Sequence, residues 1–441
     1  APFALFFSLY TSTYSWIFLT HCPPGCVPLL NLLLLSCSHS NLLYMTSFEN
    51  HSTLEIFVHP FRYFKFIMKK TLVDSFKARN DEKGSGSIST FKAMMVTLAG
   101  NVGGGNVVGV ATAVAAGGMG AVFWMWVAAF FGMALKYGEI VLSQLYRGKD
   151  SEGNLLSGPM YYIRDGLKAP WLGIVIAVLM CTKMMGANLV QSNTISGVLK
   201  SNYNVPTWLT GVILICCLMA VVLGGLKRLA NIATSLVPIM SIFYVAVGLL
   251  VILLNIQEVP GVFKEIFTQA FSMKAAAGGT GGYIIARAMQ YGITRGMYSN
   301  EAGEGTAPFA HGSAIVDHPC EEGITGVTEV FLDTIIICSI TAIVIGVTGI
   351  YQSDLSPAVM AIESFGTVWE PLKHLATFAL LLFCFTTLMG QWFNAAKSFT
   401  YAFGPKVTDK VRFVFPFLCI IGAITKISLV WTIQDVAMGL V

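Results

Sequence analysis

Apolar residues run through this chain in blocks of about twenty, the length a helix needs to cross the hydrocarbon core of a bilayer, and polar residues gather between the blocks. From residue 91 the blocks predict nine spans, at about 91–115, 121–146, 170–199, 206–224, 229–254, 276–297, 324–350, 371–396 and 411–426. An amphipathic external segment at about 258–273 separates the fifth from the sixth. A tenth apolar segment, 428–441, is too short to cross at 1.5 Å per residue, so a truncated tenth span is expected. Ahead of the spans, residues 60–90 read as a basic, aromatic segment lying at a membrane edge, with Arg62, Lys65, Lys69 and Lys70 among Phe61, Tyr63, Phe64 and Phe66. Residues 1–59 hold apolar runs broken at Cys22-Pro-Pro-Gly-Cys26 and give no functional reading.

Basic residues assign a side to each loop. Arg147, Lys149, Arg164 and Lys168 follow the second span, Lys227 and Arg228 the fourth, Arg295 the sixth, and Lys397, Lys406, Lys410 and Arg412 the eighth. The loop after the seventh carries Asp354, Glu363 and Glu370 and no base before Lys373. By the positive-inside rule the segment before the first span is cytoplasmic; Lys200, Lys264 and Lys274 are the exceptions. Five spans then form one half, and the next five start from the opposite side, which is the arithmetic of an inverted repeat. The expected fold is an all-α polytopic membrane domain over 91–441, a 5+5 bundle with discontinuous helices.

The first span breaks its own pattern. Thr97 to Thr112 lies inside an apolar block, yet its middle holds Gly100, Asn101, Gly103, Gly104, Gly105 and Asn106. Each glycine is about 1 kcal/mol worse than alanine in a helix interior. Unwound backbone is tolerated in lipid only where protein buries it or it lines a cavity. A broken span offers free N–H groups to a carboxylate and free carbonyls to a cation. The symmetry argument expects a matching break in the sixth span, opened by Gly278-Gly-Thr-Gly-Gly282 and closed by Gly292 and Gly296.

Composition narrows the chemistry. The chain of 441 residues is 55% hydrophobic and 11% charged, against roughly 25% charged in soluble domains. A net charge of +4 suggests no nucleic-acid partner. Ten cysteines form no Cys-x-x-Cys and seven histidines no ligand spacing, so neither zinc nor redox chemistry is indicated. No Walker motif or Ser/His/Asp constellation appears, and Gly103-Gly-Gly-Asn106 lacks the lysine of a phosphate loop, so no enzyme and no cofactor is expected. Polar groups inside spans are costly and read as functional. Gln191, beside Asn188, Ser192 and Asn193 in the third span, suits a zwitterionic ligand or an interhelical amide bond. Thr386 and Thr387 in the eighth span offer hard oxygens to a small cation, or bond their own helix. Lys136 and Glu139 read as a structural pair. Capping, pairing with Arg287 or Arg295, and gating stay open for Asp333. After the sixth span, Gly303 and Gly305 suit tight turns, and Asn300 and Glu301 can tie loops together.

Four stretches together resemble the alanine or glycine:cation symporter family: Gly103-Gly-Gly-Asn-Val-Val-Gly-Val-Ala-Thr112, Phe123-Trp-Met-Trp126 through Gly132 to Glu139, Gly158-Pro-Met-Tyr-Tyr162, and Arg295 to His311. With Gly224-Gly-Leu-Lys-Arg228 and Val237-Pro they cover about 60–441. The resemblance implies a LeuT-like fold and Na⁺-driven uptake of alanine, glycine or a similar small amino acid, with Na⁺ as coupling ion, in the cell (inner) membrane. The candidate substrate contacts are Thr97, Gly103, Gly104, Gly105, Asn106, Gln191, Gln391 and Trp392, and the candidate sodium ligands are Thr386 and Thr387. The family usually has Thr where Gly104 stands, Trp at the place of Gln391 and an apolar residue at Glu304. The other readings are a cation channel, and a symporter for another substrate such as glutamine or one coupled to H⁺.

Overall fold

The computed structural model describes residues 63–74, 86–149, 155–271 and 281–441. Among the described residues five helices are long and apolar enough to cross a membrane: Gly120–Leu145, Pro170–Tyr203, Lys227–Leu254, Pro319–Val347 and Glu370–Phe403. A sixth crossing is a bent pair, Thr90–Asn101 (α2) and Gly105–Gly117, whose axes differ by 53°. After a π-helical turn, Gly105–Gly109, the second half runs as α3, Val110–Gly117. The break falls where the three consecutive glycines predict it.

Local sequence sets the ends. Ser89 caps α2 by accepting the Lys92 N–H at 3.3 Å. Gly118, at φ +71°, closes α3 and lets the chain turn into α4, Gly120–Leu145. Pro159 opens α5, Pro159–Asp165, and Pro170 opens α6, Pro170–Tyr203, both at first-turn positions where a missing N–H costs nothing. α7 (Thr207–Val222) and α8 (Gly225–Leu254) follow, then the amphipathic α9 (Val259–Ala270) at the expected place. Before the spans, α1 (Phe64–Met68) buries Ile67 against Ala129, Met133 and Val327, and Lys70 pairs with Glu321 at 2.6 Å.

The sixth span departs from expectation. Residues 278–280 of its glycine run lie outside the described residues, and α10 is continuous over Gly281–Asn300. Gly292 and Gly296 do not break it. They let α10 lie against α4, where a Cβ on Gly296 would meet Met125. The interruption comes instead at Glu301–Thr306, where Glu301, Gly303 and Gly305 all take positive φ, before α11, Ala307–His311. The seventh span joins α12 (Pro319–Val330) to α13 (Ser339–Val347) through a π-helical stretch, Phe331–Cys338. A short helix at Pro357–Gly366, α14, was not anticipated, and α15, Glu370–Phe403, outruns its predicted end. The ninth apolar block is split into α16 (Pro405–Val414) and α17 (Leu418–Ile424) at Pro416, and α18 spans Ile427–Leu440.

α6 packs along α15, and α4 lies between α10 and α12. Where α2 crosses α15 the backbones touch: a Cβ on Gly390 would overlap Gly100. Buried charge holds the turn after α10. Lys183 Nζ lies 2.7 Å from Glu304 and 3.1 Å from Glu301. Glu139 accepts the Gly305 N–H at 2.9 Å. Lys136 pairs not with Glu139, as its spacing suggested, but with Glu329 at 3.2 Å, and it donates to the Asn300 carbonyl at 2.8 Å. Glu304, the unusual acid in the sequence, therefore has its counter-charge in Lys183.

Removing one member of a buried ion pair strands the other, at a cost of about 3–5 kcal/mol. Lys183→Met is expected to lower the melting temperature in detergent, and Lys183→Met with Glu304→Met to recover part of the loss; equal melting for all three proteins would refute the pairing.

Candidate functional site

The break of the first span exposes backbone in the middle of the bundle, and side chains from other spans occupy it. The Gly103 N–H donates to Asn106 Oδ1 at 2.8 Å, and the Gly104 N–H donates to Gln191 Oε1 at 2.9 Å. Both helical amides that the glycines set free are thus held by amide oxygens. Gln191 Nε2 in turn donates to the Tyr298 hydroxyl at 3.3 Å. The approach is close enough to demand glycine: a Cβ at Gly103 would overlap the Thr387 hydroxyl, and one at Gly104 would lie 2.9 Å from Gln191 Oε1.

Asn106 ties the break to three more spans. Its Nδ2 donates to Asp333 Oδ1 at 2.7 Å, and Asp333 Oδ2 accepts from Ser299 at 2.8 Å and Thr334 at 2.9 Å. Of the roles left open for Asp333, pairing with arginine is not the one observed. Arg295 instead makes two contacts with Asp435, at 2.7 and 3.0 Å, and stacks over Trp431. The Asn106 carbonyl accepts from Thr341 at 2.8 Å, whose hydroxyl meets Tyr244 at 2.7 Å. All of these groups except the exposed edge of Asp435 are buried.

The eighth span supplies the opposite wall. Thr387 Oγ1 lies 3.2 Å from the Val102 carbonyl, which the break turns toward it, and 3.0 Å from Phe383 O on its own helix. Thr386 bonds Phe383 O at 2.9 Å. One turn along, Gln391 Nε2 donates to Glu301 Oε1 at 3.1 Å and approaches the Gly100 carbonyl at 3.4 Å. The Thr387 hydroxyl beside a freed carbonyl gives oxygen donors of the kind that suit a hard cation, whereas the Thr386 hydroxyl lies 3.5 Å from Met240 Sδ.

Of the residues singled out in the sequence, Gly103, Gly104, Gly105, Asn106, Gln191, Thr387 and Gln391 come together at the break. Three do not. Thr97 donates to Ala93 O of its own helix at 3.1 Å, Thr386 turns to Phe383 O of its own helix and to Met240 Sδ, and the Trp392 ring packs on Phe415 with centroids 5.2 Å apart. Asn193 proves an interhelical strut, donating to Gly422 O and Thr425 O. Reading the sequence alone does not single out Tyr298, Ser299, Thr341 or Tyr244. Tyr298 and Ser299 lay within the Arg295–His311 stretch already marked, whereas Tyr244 and Thr341 are single hydroxyls in apolar blocks and carried no signal.

Residues 38–441 match the family described as the sodium:alanine symporter family. A relative named sodium/alanine symporter AgcS, from Methanococcus maripaludis, is 37% identical over 376 residues, covering 83% of this chain and 82% of that protein. A relative named probable sodium/glutamine symporter GlnT, from Bacillus subtilis, is 34% identical, covering 87% and 80%. In fold, the chain is similar to a manganese transporter from Eremococcus coleocola, at a TM-score of 0.54 with 13% identity, over 79% of this chain and 74% of that one. The multi-span LeuT-like bundle with its broken helix is therefore the fold expected, and the chain belongs to the sodium:alanine symporter family of membrane transporters.

Proposed function

We propose that this protein carries a small neutral amino acid of the alanine or glycine class across the cell membrane together with Na⁺, by alternating access, with the segment before the first span on the cytoplasmic side. The observation that carries this reading is the pair of glycine amides at the break. Gly103 and Gly104 each present an N–H to one side-chain oxygen. A carboxylate has two acceptor oxygens and can take both positions when Asn106 and Gln191 turn away. A small side chain then faces Gln191, Tyr298 and the eighth span. Thr387, with the Val102 carbonyl, holds the coupling ion beside the substrate. If ion and substrate favour the same occluded arrangement, each tightens the other, because coupling between sites is reciprocal.

Gln391 supports a second reading of the substrate. It stands at a place where the resembling sequences usually carry Trp, and an amide there is both smaller and able to pair with another amide. A glutamine-sized substrate is accommodated on this ground, in line with the sodium/glutamine name of one relative.

The test is uptake of labelled alanine into proteoliposomes with and without an inward Na⁺ gradient, with unlabelled glycine, serine and glutamine as competitors. Saturable uptake that needs Na⁺ is expected. Uptake driven by a proton gradient alone, or conductance without amino acid, would replace this reading by H⁺ coupling or by a channel.

Two variants probe the named groups. Asn106→Ala is expected to abolish uptake at unchanged expression, since it frees both the Gly103 amide and the Asp333 carboxylate. Thr387→Ala is expected to raise the Na⁺ concentration for half-maximal uptake at least tenfold, a loss of about 1.4 kcal/mol in ion binding; an unchanged Na⁺ dependence removes Thr387 from the ion site.

A further inference from the structure

A second group of oxygens lies one turn along the eighth span from Thr387 and shares only Gln391 with the site above. Asn101 ends α2, and its Nδ2 donates to the carbonyl of Asn300, the last residue of α10, at 3.1 Å. The C-terminal ends of two helices therefore meet at this point. Each brings the negative end of its dipole and carbonyls without intrahelical partners. Lys136 answers part of that charge through its bond to Asn300 O.

The side chains gathered there are acceptors in excess. Gln391 spends its donor on Glu301 Oε1 and Gly100 O, and Asn101 spends its donor on Asn300 O. Asn101 Oδ1, Gln391 Oε1 and Glu301 Oε2 are left buried without a hydrogen-bond partner. The three residues are 4%, 1% and 3% exposed. Turning either amide end for end would aim its oxygen at a carbonyl or carboxylate that now accepts from it, so the orientation is fixed by the neighbours.

Five buried carboxylates surround the turn after α10, Glu139, Glu301, Glu304, Glu322 and Glu329, among Lys136, Lys183, His311, Arg147 and Lys397, which donates to the Phe309 carbonyl. Of these five, Glu301 alone hydrogen-bonds a residue of the eighth span among the described residues, through Gln391.

We propose that a second sodium ion binds between the Glu301 carboxylate and the side-chain oxygens of Asn101 and Gln391, apart from the Thr387 position. A carboxylate and two amide carbonyls are hard oxygen donors without nitrogen or sulfur. The ion would bridge the ends of both interrupted spans to the eighth span, so its loading ties the three together. The proposal rests on Na⁺ coupling but not on the identity of the amino acid.

The experiment counts ²²Na⁺ bound per chain at equilibrium on the purified full chain in detergent, with K⁺ as counter-ion and no amino acid present. Two ions per chain are expected for the unaltered protein. Glu301→Gln, which keeps the shape and removes the charge, is expected to bind one, and that one is expected to be lost on adding Thr387→Ala. Asn101→Ala, read alongside in case Glu301→Gln does not fold, is expected to weaken one class of ion at least tenfold and leave the other. One ion per chain in the unaltered protein, or two that survive both Glu301→Gln and Asn101→Ala, overturns the second site and leaves the symport reading standing. No bound sodium in a monodisperse sample overturns both.

Discussion

Backbone that leaves helical geometry inside a membrane has no water to fall back on, and every peptide group must find its partner in protein. The rest of this molecule is arranged around that constraint at Gly103 and Gly104. Gln191 crosses from the third span to reach one amide, and Asn106 folds back to reach the other. Asn106 must itself be held, and Asp333, Ser299, Thr334 and Thr341 from the sixth and seventh spans hold it. What keeps the break intact is thus a set of polar side chains drawn from other spans, not packing alone.

Much of this was legible in the sequence. The spans appear as apolar blocks because lipid selects for length and composition. The first break appears because three glycines in a row, flanked by two asparagines, make a poor helix interior and are more than close packing needs. Gln191, Thr387 and Asn106 stood out because polar groups in such blocks are costly. The misses have physical causes too. Gly292 and Gly296 read as the close of an interrupted span, but a glycine against a neighbouring helix serves close packing, and sequence spacing does not distinguish the two. Lys136 and Glu139 sit three apart on one face, yet each prefers a partner across the bundle, since a long side chain in a dry interior reaches the charge that best compensates it. Trp392 follows Gln391 and so faces about 100° away from it on the helix, toward Phe415 and not the break.

The turn after α10 shows how a departure from a family pattern is absorbed. Glu304 alone would be a buried, unpaired acid. Lys183, on a helix more than a hundred residues earlier, supplies its countercharge, and the pair becomes intelligible only when both are seen together. Neither residue announces the other in a single sequence, because their contact is set by how α6 and the turn are brought together in space.

Gly100 and Gly390 meet backbone to backbone, with no side chain between them. Helices keyed by ridges seated in grooves change their crossing angle only by lifting each ridge from its groove. A bare contact has no teeth. A side chain at Gly390 would therefore have to push the first and eighth spans apart.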